Sequence, residues 1–256
     1  MSDWLRTAYN ILVQFGIDPR KCLRSMRGFP LFLWDLLRYR HLSQNRQGAL
    51  QFGRFYPILH DRFGQSGEAS GHYFHQDLWA ARKVFQAKPC RHVDIGSSVS
   101  GFVSHLLVFR EVEVIDVRPL QSDVTGLRFI QSDATQMSGF ENDALESIST
   151  LHAAEHFGLG RYGDPVDPTA HLKFMAALTR VLEPGGRLYF AVPSGVERLY
   201  FNAHRVLSPE TVLEGFKGLT LVSFAWVNDA GVLIENAEPQ DVRNENYGCG
   251  LFEFTK

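Results

Sequence analysis

Apolar residues recur with helical spacing in the first part of the chain. In the first predicted helix they stand three or four positions apart, at Trp4, Leu5, Ala8, Ile11, Leu12 and Phe15. A second helix is predicted from Leu31 to about Leu42. The pattern changes near residue 88, so we predict an N-terminal helical extension over residues 1–87 and a second domain over residues 88–256.

Short β-rich segments alternate with helical segments after residue 88. The predicted strands are residues 91–96, 112–117, 127–133, 146–153 and 187–193, and the predicted helices are residues 102–110 and about 169–182. Such alternation gives right-handed crossovers and a parallel sheet. Two later strands, residues 219–227 and 250–256, have no long helix between them, so the last strand must run antiparallel. We therefore predict an α/β fold with a doubly wound, mostly parallel sheet of seven strands.

The composition is that of a soluble globular protein with one sizeable core, since 45% of the 256 residues are hydrophobic and 21% are charged. A net charge of −2 provides no overall positive field for phosphates, so nucleic acid is not an expected partner. The three cysteines are far apart, which favours a reducing compartment, and the N-terminus lacks a signal-peptide pattern. We expect a cytoplasmic location, and the oligomeric state stays open.

Basic and aromatic residues are mixed in the N-terminal segment. Its most apolar stretch, residues 29–37, is too short for a membrane span, which needs about 20 residues. The basic residues Arg24, Arg27, Arg38 and Arg40 are nevertheless near Phe29, Phe32 and Trp34 in the sequence. Basic amphipathic helices of this kind contact anionic membrane surfaces, which makes peripheral membrane contact one expectation. The alternative is that these helices pack on the main domain.

Acidic residues end three successive predicted strands. The first carries Asp94 in the sequence DIGSSVSG, where Gly96 lets the backbone turn tightly, while the second ends at Asp116 and the third at Asp133. In an open α/β sheet, ligands bind at the carboxyl ends of the strands. Asp116 is placed to accept hydrogen bonds from ribose hydroxyls, and Asp133 from an adenine amino group, so the pattern predicts a nucleoside site. The alternative is that each Asp caps a helix.

The segments HVDIGSSVSGF, EVIDVRP, FIQSDATQM, STLHAAEHF and RVLEPGGRLYF resemble, in order and spacing, the motifs of class I S-adenosylmethionine-dependent methyltransferases. The resemblance implies a Rossmann-like sheet with S-adenosylmethionine as the cofactor. It implies that Asp116 binds the ribose, that Asp133 and Ala134 bind the adenine, and that His152 lies near the cofactor. The first loop then faces the methionine part through Asp94, Gly96, Ser97, Ser98 and Gly101, with Ser98 and Ser100 where glycines are usual.

Nearly the whole chain, from GHYFHQDLWAARKVF to YGCGLFEFTK, is similar to a bacterial family catalogued as domain of unknown function family 268. That family is regarded as methyltransferase-like and is linked to cell-surface polysaccharide synthesis. The resemblance implies a methyltransferase whose acceptor is an unidentified small molecule or glycan.

Residues around the predicted cofactor site are candidates for binding the acceptor and removing its proton. Residues 71–78 stand where a helix covers the cofactor in methyltransferases, and the Gly/Pro-rich residues 158–168 are typical of a functional loop. The candidate acceptor contacts are His72, Tyr73, Arg161, Tyr162, Asp164 and Asn202. His156 and His204 are the candidate general bases, because a histidine can take the proton of a hydroxyl acceptor. The alternative for these aromatic and histidine side chains is ordinary packing.

The string HAAEH, residues 152–156, also fits the zinc pattern H-x-x-E-H. That pattern requires a helix, whereas His152 follows a predicted strand and Gly158 and Gly160 interrupt any helix soon afterwards. We predict no metal.

Two other functions stay open. A nicotinamide-dependent oxidoreductase also fits Gly96 and Asp116, although the pattern G-x-G-x-x-G is absent. A non-catalytic, methyltransferase-like scaffold protein fits the two serines of the first loop.

Overall fold

The computed structural model describes residues 3–44, 46–50, 52–242 and 245–256. The chain divides between Glu68 and Ala69 into two compact units, here called the helical unit (Met1–Glu68) and the sheet unit (Ala69–Lys256). This division comes earlier than the predicted boundary after residue 87. The reason is that the helix Gly71–Ala87 buries its apolar face, including Trp79 and Val84, in a core of the sheet unit.

Two long helices, α1 (Asp3–Gln14) and α2 (Pro19–Ser43), belong to the helical unit. α2 begins well before the predicted Leu31, because the Asp18 side chain accepts hydrogen bonds from backbone N–H groups of its first turn. Pro19 also suits the first helical position, where no N–H is needed. No helix in the described ranges is both long enough and apolar enough to cross a membrane.

The sheet unit is built from strands and helices that alternate along the chain. Its strands are β1 (Val93–Ile95), β2 (Val112–Asp116), β3 (Leu127–Gln131), β4 (Leu145–Leu151), β5 (Leu182–Ser194), β6 (Arg198–Tyr200), β7 (His204–Val206), β8 (Thr220–Val227), β9 (Leu233–Ile234) and β10 (Gly248–Thr255). Its helices are α3 (Gly71–Ala87), α4 (Ser104–Leu107), α5 (Ala170–Val181) and α6 (Pro209–Gly215).

The main sheet has the strand order β3-β2-β1-β4-β5-β10-β8-β9. β1 to β5 pair in parallel, and β10 runs antiparallel between β5 and β8. The predicted α/β fold with an antiparallel last strand is therefore confirmed. The sheet has eight strands rather than seven because β9, only two residues long, pairs with the edge of β8. β6 and β7 form a separate two-stranded sheet that the sequence did not predict.

Helices cover both faces of the main sheet. In β5, Phe190 packs in the hydrophobic cluster that contains Phe174 of α5, whereas its neighbour Tyr189 packs in the cluster that contains Trp79 of α3. Successive side chains of a strand point to opposite faces, so α3 and α5 lie on opposite sides of the sheet. This is the predicted doubly wound arrangement.

The segment after β1 differs from the helix predicted over residues 102–110. It begins with a π-helical turn, Val99–Val103, and continues as α4. The Ser98 hydroxyl accepts from the N–H of Gly101 at 3.2 Å, and the Ser104 hydroxyl donates to the carbonyl of Gly101 at 2.8 Å. Serine hydroxyls compete in this way with ordinary helical hydrogen bonds, which apolar spacing cannot predict.

Candidate active site

Two adjoining cavities lie at the carboxyl ends of the parallel strands, where open α/β sheets bind their ligands. The first cavity is lined by residues at or after strand ends, including Ile95, Asp116, Asp133, Ala134 and Ala153. The second cavity is lined by polar and titratable side chains, including Tyr73, Ser97, Glu155, His204 and Tyr247. Gly96, Asp116, His152 and His156 line both, so the two cavities share a wall.

Gly96 lies in that shared wall. Its backbone has φ +69°, a conformation that other residues rarely adopt, and its N–H donates to the carbonyl of Ile115 at 2.9 Å. A Cβ at this position would lie 3.0 Å from the Cβ of Ala153. The tight turn and the close approach of residue 153 both require glycine, which agrees with the turn predicted after β1.

Asp94 is fully buried beneath the loop that follows β1. Its Oδ1 accepts from the hydroxyls of Ser97 and Ser149, each at 2.6 Å, and its Oδ2 accepts from the N–H of Ser97 at 3.2 Å. Burial raises the pKa of Asp94 to about 6, against the opposing effect of these hydrogen bonds. The prediction that Asp94 faces a ligand is corrected: its carboxylate is used to hold the loop, so it is a positioning residue.

Gly101 has a packing role in the structure, whereas the sequence predicted a contact with the methionine part of the cofactor. A Cβ at Gly101 would overlap the carboxylate of Asp77, which α3 carries and which is buried. The glycine therefore lets the π-helical turn approach α3. Ser97 and Ser98, in contrast, line the second cavity.

Asp116 and Asp133, the predicted ribose and adenine acceptors, both line the first cavity. Asp116 accepts from the N–H of Arg118 at 2.8 Å, and Asp133 Oδ1 accepts from the N–H of Thr135 at 2.8 Å. The fully described segments after these two residues, up to β3 and β4, contain no helix, so neither residue is a helix cap. Ala134 is buried and adds apolar surface to the same cavity.

Glu155 lies in the wall of the second cavity and was not among the residues predicted from the sequence. It is 1% exposed, and its Oε2 has no hydrogen-bond partner in the described part of the chain. Burial raises the pKa of Glu155 to about 8, so the carboxyl group is mostly protonated at pH 7. A carboxyl group that titrates near neutrality suits proton transfer. The sequence feature that could have identified Glu155 is its position between the two histidines of HAAEH.

His156 has a fixed tautomer. Its Nδ1 lies 2.6 Å from the carbonyl oxygen of Ala203, so Nδ1 carries the proton and Nε2 is the acceptor. Burial lowers the pKa of His156 to about 4, so the ring is neutral at pH 7. Nε2 lies 3.8 Å from Oε1 of Glu155. The neutral ring therefore has Nε2 as its acceptor nitrogen in the wall of the second cavity, and its role as a general base stays a prediction.

His204, the other predicted base, begins β7 and also lines the second cavity. Its ring centroid lies 5.3 Å from the ring centroids of both Tyr200 and Tyr247. Its Nε2 is buried and has no hydrogen-bond partner among the described residues, and burial lowers the pKa of the ring. The structure thus brings both predicted bases to one cavity.

Three predicted acceptor contacts come from the loop between β4 and α5. Asp164 accepts from the N–H groups of Gly158 and Tyr162, at 2.8 and 3.2 Å, and these hydrogen bonds fix the shape of the loop. Asp164 also lines the first cavity. Arg161 donates to the carbonyl of Ala203 at 3.0 Å. Arg161 and Tyr162 line the second cavity, where an acceptor can reach them.

Three predicted acceptor contacts remain, namely Tyr73 and His72 in α3 and Asn202 between β6 and β7. Tyr73 lines the second cavity from the start of α3, and the ring of His72 stacks on that of Tyr247 at a centroid distance of 5.2 Å. Asn202 is exposed in the turn between β6 and β7, with φ +62°. It lines neither cavity, and its role as an acceptor contact stays a prediction.

The HAAEH string continues from β4 into a short 3-10 turn, Ala154–His156. The Nδ1 atoms of its two histidines face different partners, Gln76 for His152 and Ala203 for His156. The string therefore lacks the helical geometry that the H-x-x-E-H zinc pattern requires.

A family model described as "Caenorhabditis protein of unknown function, DUF268" matches residues 115–241. This finding supports the resemblance to family 268 over those residues, and it shows that the expected restriction of the family to bacteria was wrong. None of the curated proteins compared with the chain matches it.

Several solved structures are similar in fold. A protein assigned as a sarcosine dimethylglycine methyltransferase, from Galdieria sulphuraria, is 12% identical over 71% of this chain and 85% of its own, with a TM-score of 0.51. The cyclase SpnF is 12% identical over 69% of this chain and 81% of its own, with a TM-score of 0.50. The N-methyltransferase NodS from Bradyrhizobium japonicum WM9, solved with S-adenosylhomocysteine, is 16% identical over 73% of this chain and 88% of its own, with a TM-score of 0.49.

The likeness to the Galdieria sulphuraria protein and to SpnF shows the fold alone, which is a Rossmann-like α/β fold. Because a cyclase shares it, the fold alone does not decide the reaction.

Proposed function

We propose that the protein is an S-adenosylmethionine-dependent methyltransferase whose acceptor is a hydroxyl group of a small molecule or glycan. The observation that carries the proposal is the shared wall between the two cavities. The first cavity has carboxylates at the ends of β2 and β3 that can bind a nucleoside. The second cavity is lined by side chains that can donate or accept a proton.

The first cavity suits an adenosine. Asp116 stands at the end of β2, where it can accept hydrogen bonds from ribose hydroxyls. Asp133 uses Oδ1 within its own turn, and Oδ2 makes no hydrogen bond to the described residues, so it can accept from an adenine amino group. Val117, Ala134 and Phe157 give the same cavity apolar surface for a planar base.

The second cavity suits an acceptor that loses a proton. When bound, S-adenosylmethionine supplies an activated methyl group on a sulfonium centre. The protein's own residues then have to hold the acceptor in line and remove its proton. His156 Nε2 is a free proton acceptor, and Glu155, protonated at pH 7, can donate a hydrogen bond that orients the acceptor.

A cytoplasmic location and a glycan acceptor of cell-surface polysaccharide synthesis form part of the same proposal. Their support is in the sequence: three widely separated cysteines for the location, and the family resemblance described above for the acceptor.

We also propose that the helical unit contacts an anionic membrane surface. Residues 1–68 contain ten Lys and Arg against five Asp and Glu, whereas the remaining residues contain 16 against 23. Large apolar side chains of this unit are exposed, among them Trp4 at 69%, Phe15 at 80% and Leu37 at 65%. Exposed apolar side chains and positive charge together bind helices to anionic lipid.

Calorimetric titration of the full chain with S-adenosylhomocysteine and, separately, with NAD tests the cofactor assignment. We expect binding of one S-adenosylhomocysteine per chain and no binding of NAD. Asp133→Ala should weaken S-adenosylhomocysteine binding by about 1–3 kcal/mol, the cost of leaving a polar group unpaired, whereas Asp123→Ala, at an exposed position, should not. Absence of heat and of thermal stabilisation at millimolar S-adenosylhomocysteine contradicts the proposal and favours a scaffold role. Binding of NAD alone favours an oxidoreductase.

A further inference from the structure

We propose that His72, His152 and Cys249 form a zinc site beside the second cavity. This site goes beyond the proposed function, because neither the methyltransferase fold nor the nucleoside cavity requires a metal. It also differs from the H-x-x-E-H pattern, since it uses His152 without His156 and takes its other ligands from distant parts of the chain.

Three separate elements bring the ligands together. His72 is in the first turn of α3, His152 directly follows β4, and Cys249 is in β10. One ligand atom from each residue lies within 4.8 Å of the other two. The ligands of one tetrahedral zinc ion, at bond lengths of about 2.0–2.3 Å, are about 3.5 Å apart. The three side chains would therefore have to move closer together when zinc binds.

The orientation of His152 is the second observation. Its Nδ1 lies 2.6 Å from Oε1 of Gln76 and 3.9 Å from Sγ of Cys249, and its Nε2 is buried with no hydrogen-bond partner among the described residues. Zinc binding would therefore require the ring to turn and present Nε2 to the thiol. Metal-binding histidines typically donate one ring N–H to a carbonyl or carboxylate oxygen and leave the other nitrogen for the metal. His152 also has φ +53°, a strained conformation that is concentrated at functional sites.

The donor chemistry selects the metal. Two imidazole nitrogens and one thiolate suit zinc, while magnesium and calcium prefer oxygen ligands. Cys249 is fully buried, whereas Cys22 and Cys90 are exposed, so Cys249 is the cysteine placed for a structured site. Zinc binding would displace the thiol proton of Cys249 into solvent, which makes the affinity increase with pH.

His152 lines both cavities, whereas His72 and Cys249 line neither of them, and Nε2 of His152 is buried. A zinc ion held by these residues would therefore lie behind the cavity wall, where it would connect α3, the residue after β4 and β10. Binding of the metal does not depend on the proposed methyl transfer.

Cobalt(II) titration of the metal-free protein tests the site with the metal alone, because a thiolate bound to cobalt gives a charge-transfer band in the near ultraviolet. A chain with Cys22→Ser and Cys90→Ser serves as the background, so that any thiolate band comes from Cys249. We expect one cobalt per chain with that band, displaced by one equivalent of zinc. Absence of the band, or a band without saturation at one equivalent, overturns the site.

Variants assign the ligands. Cys249→Ser in that background should abolish the band, and His72→Asn should reduce zinc affinity at least about tenfold, by comparison with the 10–100-fold effect of second-shell changes. His41→Asn, at an exposed position of the helical unit, is the matched control and should bind zinc as the background does. Thermal unfolding identifies any variant that fails to fold. Gln76→Leu, which removes the hydrogen-bond partner of His152 and leaves the three ligands in place, then replaces that variant. Equal zinc affinity in His72→Asn and in the background contradicts the site, whatever the outcome for S-adenosylhomocysteine.

Discussion

The guanidinium of Arg118 pairs with both carboxylate oxygens of Asp116, with Nη2 2.7 Å from Oδ2 and Nε 3.0 Å from Oδ1. The same guanidinium lies 4.4 Å above the ring of Tyr162. Under the proposed function, a ribose diol would compete with Arg118 for these two oxygens of Asp116. Arg118 is half exposed, and ion pairs of this kind contribute only about 0–1 kcal/mol, so the displacement costs little.

Asp116→Asn should weaken the binding of S-adenosylhomocysteine by about 1.5–3 kcal/mol, because hydrogen bonds to a charged acceptor are lost. Calorimetric titration measures the change. Asp123→Asn, an exposed acid in the loop after β2, is the matched control and should bind like the wild type. Equal affinity for Asp116→Asn and the wild type would remove Asp116 from the ribose site.

Gly96→Ala should lower both the free energy of unfolding and the affinity for S-adenosylhomocysteine. A side chain at φ +69° costs about 1–2 kcal/mol, and the new Cβ presses on Ala153 in the wall between the cavities. Gly139→Ala, where a Cβ meets no atom within 4 Å, is the control. Chemical denaturation and calorimetry give the two quantities. An unchanged affinity with reduced stability would limit Gly96 to a structural role.

The sequence predicted the fold well where apolar spacing is the cause of structure. The five parallel strands and the antiparallel insertion of β10 follow from β-rich segments and from the missing helix between the last two strands. The sequence did not predict the features of helices that depend on single polar groups. The Asp18 cap moves the start of α2 to Pro19, and serine hydroxyls turn the segment after β1 into a π-helical turn.

Glu155→Gln should change how stability depends on pH. The folded protein holds the Glu155 proton up to a pKa of about 8, whereas the unfolded chain releases it near its ordinary pKa of 4.5. The folded state therefore binds more protons between these values, so the wild-type free energy of unfolding falls as pH rises from about 4.5 to about 8.

The glutamine variant has no proton to lose, so it should become more stable relative to the wild type over that interval, by about 1.4 kcal/mol for each unit of pKa difference. Urea denaturation at pH 5 and pH 8 measures the two curves. Glu141→Gln, at an exposed carboxyl group, should follow the wild type at both pH values. Parallel curves for Glu155→Gln and the wild type would show that burial does not raise this pKa.

The site was predictable only in part. Residues at strand ends can be recognised from the sequence, whereas residues that distant elements bring to the site cannot. Asp116, Asp133 and Gly96 stand at strand ends, and the structure brings them to one cavity. Glu155 gains its unusual chemistry from burial, which no short motif reports. Tyr247 reaches the second cavity because β10 pairs with β5, a contact between residues far apart in the chain.

The helical unit should bind vesicles that contain anionic lipid and not neutral ones, with binding that falls as salt rises. Co-sedimentation of the full chain measures this. Lys21→Glu with Arg24→Glu, at exposed positions of α2, should reduce binding strongly. Arg82→Glu with Arg128→Glu makes the same charge change in the sheet unit and should have little effect. Equal losses in both double variants would indicate an effect of net charge rather than of this surface.

β10 lies between β5 and β8 although both precede it in the chain. During synthesis, the edge of β5 stays unpaired until residues 248–255 have left the ribosome. An open, hydrophobic strand edge recruits other strands, so a stalled chain would be prone to aggregation at this point. Cys249 arrives with the same strand, and Tyr247 directly before it. The pairing of β10 with β5 and β8 and the arrival of Tyr247 at the second cavity therefore belong to one step of folding.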